Sequence, residues 1–270
     1  PSVDHICATH NLEKNAFSKG QPEWGKELAE DLLQVIEKHG ADKIAAFITE
    51  PLAGSTGVLV PPKGYLERIR EICTQNDILL IFDEVITGFG RLGAPFAAQY
   101  FDVEPDMITC AKGLTSGTIP MGAVLVKKEI YDAFQDGDAN SIDLFHGYTY
   151  SAHPMAAAAL IASLDVYTED NLFERTNELA SYWEDALHSL KGTSHVIDIR
   201  NLGLVAGIEM SPREGSPGTR GYDVFTDGFH NHNLLLRITG DTLALSPPLI
   251  VEKDHIDQIV ETLKVIIPNH

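Results

Sequence analysis

The chain has 270 residues, 44% apolar and 22% charged, which supports a sizeable core and either one large domain or two modest ones. Twenty basic residues against 39 acidic ones leave a net charge of −19 with no acidic tail, so a nucleic acid is an unexpected partner. The three cysteines, Cys7, Cys73 and Cys110, are far apart, lack zinc spacing and suit a reducing, cytoplasmic setting, and no apolar run is long enough to span a membrane.

Residues 1–22 read as loop, with no charged-then-apolar leader and no initiating Met. Residues 22–39 read as a helix: Pro22 suits its first turn, Leu28, Leu32, Val35 and Ile36 form a stripe, and Gly40 ends it. KIAAFITEP (43–51) reads as a buried strand stopped by Pro51, followed by a Gly/Pro loop and a helix over 65–77 with Leu66, Ile69 and Cys73 inward. A strand over 78–82, a glycine-rich turn, a short helix near 94–100, a strand over 107–111 and a strand over 122–128 come next. The alternation predicts a mainly parallel α/β sheet.

Residues 140–153 form a polar loop, and Pro154 opens an Ala-rich helix. A second amphipathic helix over 170–190 sets Leu172, Thr176, Leu179, Trp183, Leu187 and Leu190 in step. Short strands HVIDIR, LVAGIEM, LLLRI and TLALS then precede a last helix over 254–267. The division expected is a large sheet domain over 1–154 and a smaller α+β domain over 155–270, hinged at the Ala-rich helix.

Two charged groups stand where burial needs a purpose. Asp83 follows the apolar run Ile78–Phe82, and Lys112 follows Met107–Ala111. In open α/β sheets the ligand crevice lies beyond the carboxyl ends of the strands, so an acid and a lysine at two such ends can face one ligand. Lys112 is ordinarily a surface lysine. Inside CAKGLTSGTIP, however, small neighbours leave room for a ligand, and a lysine desolvated there has a lowered pKa and a nucleophilic amine. Asp83 is either a structural acid or the carboxylate that keeps a pyridine nitrogen protonated. Those roles point to pyridoxal 5'-phosphate. Glu84 points to the opposite side of the strand and takes a structural role, while Val85 returns to the Asp83 side as an apolar surface for a flat ring.

Gly88-Phe89-Gly90-Arg91-Leu92-Gly93 matches G-x-G-x-x-G, but Lys112 and Gly113 occupy the place where a dinucleotide site needs an acid, so the match is taken as accidental. The loop His146–Pro154 runs into a helix start, which suits either a phosphate or simple capping. His146, His153, His230 and His232 show no ligand spacing for a metal. Arg237 is either an edge-strand charge or a fork for a substrate carboxylate. There is no nucleophile elbow and no P-loop.

Taken together, ITEPLAGSTGVLVPPKGYLERIREIC, LLIFDEVITGFGRLG, PDMITCAKGLTSGTIPMGAV, HGYTYSAHP and GDTLALSPPLI closely resemble the class III (ω-amino acid) aminotransferases over essentially the whole chain. The resemblance implies the fold type I architecture of pyridoxal-phosphate enzymes and a homodimer with sites at the subunit interface. It implies transfer of an amino group from a β-alanine-like ω-amino acid, or an amine, to a keto acid such as pyruvate. Position by position, Lys112 looks like the Schiff-base lysine, Asp83 the partner of the ring nitrogen and Val85 the residue stacked on the ring. Thr149 looks like the hydroxyl that reaches the neighbouring subunit's cofactor phosphate, Arg237 the substrate-carboxylate arginine, and Glu50 an acid behind the cofactor. Ile86 stands where relatives acting on 4-aminobutyrate or ornithine often carry Gln. Full-length relatives extend further at the N-terminus with a glycine/serine phosphate loop, so the chain is expected to be a C-terminal part. An aminomutase or decarboxylase on the same scaffold, or a catalytically silent fragment, are the alternative readings.

Overall fold

In the first sheet, strands run in the order β1 (Ala46–Thr49), β2 (Leu79–Asp83), β3 (Met107–Cys110) and β4 (Ala123–Val126) in a computed structural model that describes residues 3–138, 140 and 144–270. β1, β2 and β3 are parallel, with Thr49 opposite Phe82 and Asp83 opposite Thr109, and β4 returns antiparallel to β3. The reversal follows from the connection: only a 3₁₀ turn, Lys112–Thr115, lies between β3 and β4, and a parallel partner would need a crossover of a dozen residues or more. Residues 141–143 of the polar loop expected over 140–153 lie outside the described residues.

The helices are α1 (Leu12–Asn15), α2 (Asp31–His39), α3 (Tyr65–Gln75), α4 (Ala97–Tyr100), α5 (Lys128–Ala133), α6 (Pro154–Glu169), α7 (Leu172–His188), α8 (Thr219–His232) and α9 (Lys253–Ile266). α3 crosses from β1 to β2, and its inward residues Leu66, Ile69 and Cys73 are buried with Leu80 and Phe82. α6 begins at Pro154 as expected.

The second sheet, β5 (Val196–Leu202), β6 (Val205–Met210), β7 (Arg237–Thr239) and β8 (Thr242–Leu245), is antiparallel throughout in the order β5-β6-β8-β7. Leu179, Trp183 and Leu187 of α7 and Ile256, Val260 and Leu263 of α9 pack into one buried cluster with it. Each such side chain contributes about 1.5–3 kcal/mol by leaving water.

Four expectations change. The helix expected over 22–39 is a 3₁₀ turn, Lys26–Glu30, followed by α2, because Gly25 holds φ 118° and breaks the run. The strand expected to be buried over 43–51 is the shorter β1, whose Ile48 is 61% exposed, since β1 has β2 alone as its partner among the described residues. LLLRI contributes only from Arg237 onward. α8 went unpredicted, its pattern interrupted by Gly221 and Gly228. Gly221 is required by packing, because a Cβ there would lie 2.3 Å from the Gly240 carbonyl oxygen. Asp241 then accepts the N–H groups of Gly218 (2.6 Å) and Gly221 (2.9 Å) and anchors the helix start. The N-terminal loop also does more than connect. Lys19 bridges to Asn201, and Phe17 packs on the second core with its N–H on Asp198 Oδ1 at 2.5 Å.

Candidate active site

β2 and β3 are parallel neighbours, so their carboxyl ends lie on one edge, and that edge carries Asp83 and the turn with Lys112. Asp83 is half-buried, and Val85 N–H donates to its Oδ1 at 3.1 Å. Among the described residues no ion pair engages its carboxylate. Glu84 takes the structural role expected of it. Fully buried, it accepts the N–H groups of Ala97 (2.5 Å) and Ala98 (2.9 Å) and the Thr87 hydroxyl (3.0 Å), so it anchors the start of α4. Burial pushes its carboxyl above the usual carboxylate range against those bonds.

Lys112 opens the 3₁₀ turn with φ 44°, a left-handed backbone that a non-glycine residue adopts at some cost. Its side chain is exposed, so the desolvation expected from the strand-end position is not supplied by the described residues. Lys112, Val85 and Arg237 line one cavity of about 660 Å³, which also takes in Gly54, Ile86 and Arg91. Residues far apart in sequence thus converge: a strand end, the β3–β4 turn, and the first residue of β7 in the second sheet.

Three expected site residues are not on that wall. Asp83 is tied to it through the Val85 N–H, which its Oδ1 accepts. Glu50 faces a separate hollow and accepts the Gly54 N–H at 2.9 Å, so it reaches the cavity only by fixing the loop at Gly54. Thr149 is exposed in a third hollow of about 640 Å³ beside His146 and His153. His153 caps α6 by accepting the Met155 N–H at 3.2 Å.

The glycine-rich turn 88–93 opens no helix. A Cβ on Gly90 would fall 2.4 Å from Phe173, and one on Gly93 would fall 1.9 Å from Asn177 Oδ1, so its glycines permit close contact with α7. Between them Arg91 sends Nη1 to the carbonyls of Leu204 (2.9 Å) and Pro247 (2.6 Å), and burial pushes its guanidinium down to about 10. The turn is therefore a seam between the sheets. Sequence reading passed over Arg91 and over Tyr167, which also lines the cavity. The available signal was a charge inside a glycine turn, and a tyrosine two residues from the end of an Ala-rich helix.

His10, Asp198 and Glu209 bring ligand atoms within 4.8 Å of one another. Arg200 already supplies the cation there: its Nη1 donates to Asp198 Oδ2 (2.5 Å) and Glu209 Oε2 (2.7 Å), while Nε and Nη2 hold the Gly57 and Val58 carbonyls. A divalent ion would meet that fixed positive charge.

The family profile described as "Aminotransferase class-III" matches residues 4–267. The chain is 60% identical over 265 residues to an omega-aminotransferase of Caulobacter vibrioides, covering 98% of this chain and 60% of that protein. It is 47% identical over 269 residues to a beta-alanine–pyruvate aminotransferase of Pseudomonas aeruginosa, covering 97% of this chain and 58% of that protein. A thermostable (S)-enantioselective omega-transaminase from Thermomicrobium roseum superposes with a TM-score of 0.84 at 34% identity, over 90% of this chain and 55% of that one. The chain thus spans about 60% of the length of the curated relatives it matches.

Proposed function

We propose the following activity for this chain, which belongs to the class III aminotransferase family and shares its fold type I architecture: pyridoxal-phosphate-dependent transfer of an amino group from an ω-amino acid of the β-alanine kind, or an amine, to a keto acid such as pyruvate. The observation that carries it is the meeting of Lys112, Val85 and Arg237 on one cavity, with the Asp83 carboxylate bonded to the Val85 N–H.

The residues fit the cofactor. A cavity of about 660 Å³ lies within the usual range for small-molecule sites, a primary amine and an apolar side chain share it, and a carboxylate accepting a single N–H retains acceptor capacity for a ring nitrogen. Pyridoxal phosphate supplies an aldehyde carbon for attachment and a ring that accepts electrons when its nitrogen is protonated. Lys112 Nζ would be the attachment point, and its free amine would serve as general base and then acid for the proton on the substrate carbon. The Asp83 carboxylate holds the proton on the ring nitrogen. Val85 offers the ring an apolar face, and the Arg237 guanidinium grips the substrate carboxylate. The named relatives are aminotransferases, which favours transfer over aminomutation or decarboxylation.

The same reading extends to assembly and place. Thr149 is exposed in a hollow separate from that of Lys112, which suits a hydroxyl serving the cofactor phosphate of a second copy in a homodimer. Three free cysteines and the absence of a helix long and apolar enough to cross a membrane, among the described residues, accord with a cytoplasmic setting. A boundary near residue 154 separates the cofactor-bearing sheet from the second one.

The test is a visible spectrum of the purified chain with added pyridoxal phosphate, followed by borohydride reduction and peptide mapping. A band with label on Lys112 is expected. Label scattered over surface lysines would show that this chain alone does not hold the cofactor.

A further inference from the structure

The turn that carries Lys112 is conformationally demanding. Lys112, Ser116 and Gly117 all have positive φ (44°, 51° and 74°). At its ends the Ser116 N–H meets the Gly113 carbonyl and the Gly117 N–H the Lys112 carbonyl, both at 3.2 Å, while the Thr115 hydroxyl in its middle donates to the Ile119 carbonyl at 2.6 Å. Such a turn persists only where its surroundings over-determine it.

Tyr167, at the far end of α6, supplies that constraint. Its hydroxyl donates to the Gly113 carbonyl at 2.7 Å, reaching the turn from a helix 54 residues further along the chain. With that one proton committed, the Ser116 hydroxyl, 3.2 Å away, becomes the donor to Tyr167 Oη. One oxygen therefore clips both ends of the turn. The ring is 92% buried and stacked between Phe89 (centroids 6.0 Å apart, planes 21°) and Phe173 (5.5 Å, 27°). Phe89 closes the turn from its other side, since a Cβ on Gly113 would lie 2.7 Å from the Phe89 Cβ.

We infer that Tyr167 is a positioning residue whose hydroxyl holds the Lys112–Gly117 turn in its left-handed backbone and so sets where the Lys112 amine meets the cofactor. The inference rests on the reading of Lys112 as the attachment lysine. Tyr167 performs no chemistry itself.

Tyr167→Phe removes one oxygen and keeps the aromatic stack, and Ser116→Ala removes the weaker arm. In the cofactor-free chain, amide exchange at Leu114, Ser116 and Gly117 is expected to quicken about tenfold in Tyr167→Phe. With added pyridoxal phosphate, the rate of forming the borohydride-trapped Lys112 adduct is expected to fall about tenfold, because small misplacements of a reacting group are costly. The pH midpoint of the visible band is expected to shift by about half a unit or more, as the amine moves relative to the Asp83 carboxylate. Ser116→Ala should move all three readouts the same way by less. Unchanged exchange, or an unchanged adduct rate and midpoint in a variant whose wild-type parent labels at Lys112, would overturn the inference and leave the lysine reading standing. A wild-type chain that takes no label on Lys112 would overturn the lysine reading itself, and Tyr167 would then only brace a loop, even if exchange responds.

Discussion

Two charged centres, one in each sheet, are treated in opposite ways. In the second sheet, Arg200 and Asp198 are buried and Glu209 lies partly buried beside them. Arg200 satisfies both carboxylates and two backbone carbonyls, so every charge is answered within a few ångströms. At the carboxyl edge of the first sheet, Asp83 carries one backbone N–H, and Lys112 stands exposed on a cavity wall in a strained backbone. A charge that the fold neutralises serves the fold. A charge that the fold leaves open, on a turn it constrains, is available to a ligand.

The largest expected effect sharpens this contrast. Lys112→Ala should abolish the visible band and lower any transamination by on the order of 10⁴-fold, the upper range for a lost acid–base group. Melting should barely change, since substitutions at such open positions usually stay within about 0.5 kcal/mol. A band that survives with label elsewhere would break the comparison. Arg200→Leu should do the reverse, costing about 3–5 kcal/mol of stability in denaturant melts because it strands two carboxylates in or near the interior. A loss well below 1 kcal/mol would show the network to be incidental.

Asp83→Asn should weaken cofactor binding by about 1.5–3 kcal/mol, the usual worth of a hydrogen bond to a charged group, with stability little altered. Spectrophotometric titration measures it. The smallest effect is in acid. The imidazole of His10 at 3.2 Å and the guanidinium of Arg200 at 2.7 Å hold the Glu209 carboxyl down to about 2, below its ordinary 4.5, against the opposing effect of burial. A depressed carboxylate contributes stability that is fully present above about pH 4.5 and is lost as pH falls through about 2. Glu209→Gln should flatten that part of the stability profile, and an unchanged slope would remove Glu209 from the account.

Much of the chain is legible residue by residue because its cause is local or periodic. The stripes of α3, α7 and α9 declare their buried faces, Pro154 declares the start of α6, and the apolar runs ending at Asp83 and before Lys112 declare strands with their chemistry at the exit. The motifs around Asp83 and Lys112 also carried the family resemblance. What the sequence could not declare depends on contacts between distant segments. α8 tolerates Gly221 because a turn near residue 240 presses on it. The G-x-G-x-x-G run is a seam because α7 and the ends of the second sheet close on it. Arg237 joins Lys112 only when β7 is placed against the first sheet's edge, and Tyr167 meets Gly113 only when α6 folds back along the β3–β4 turn. Periodicity reports which face of an element leaves water. Which partner that face meets is settled by packing across the whole chain, and there the tertiary structure alone decides.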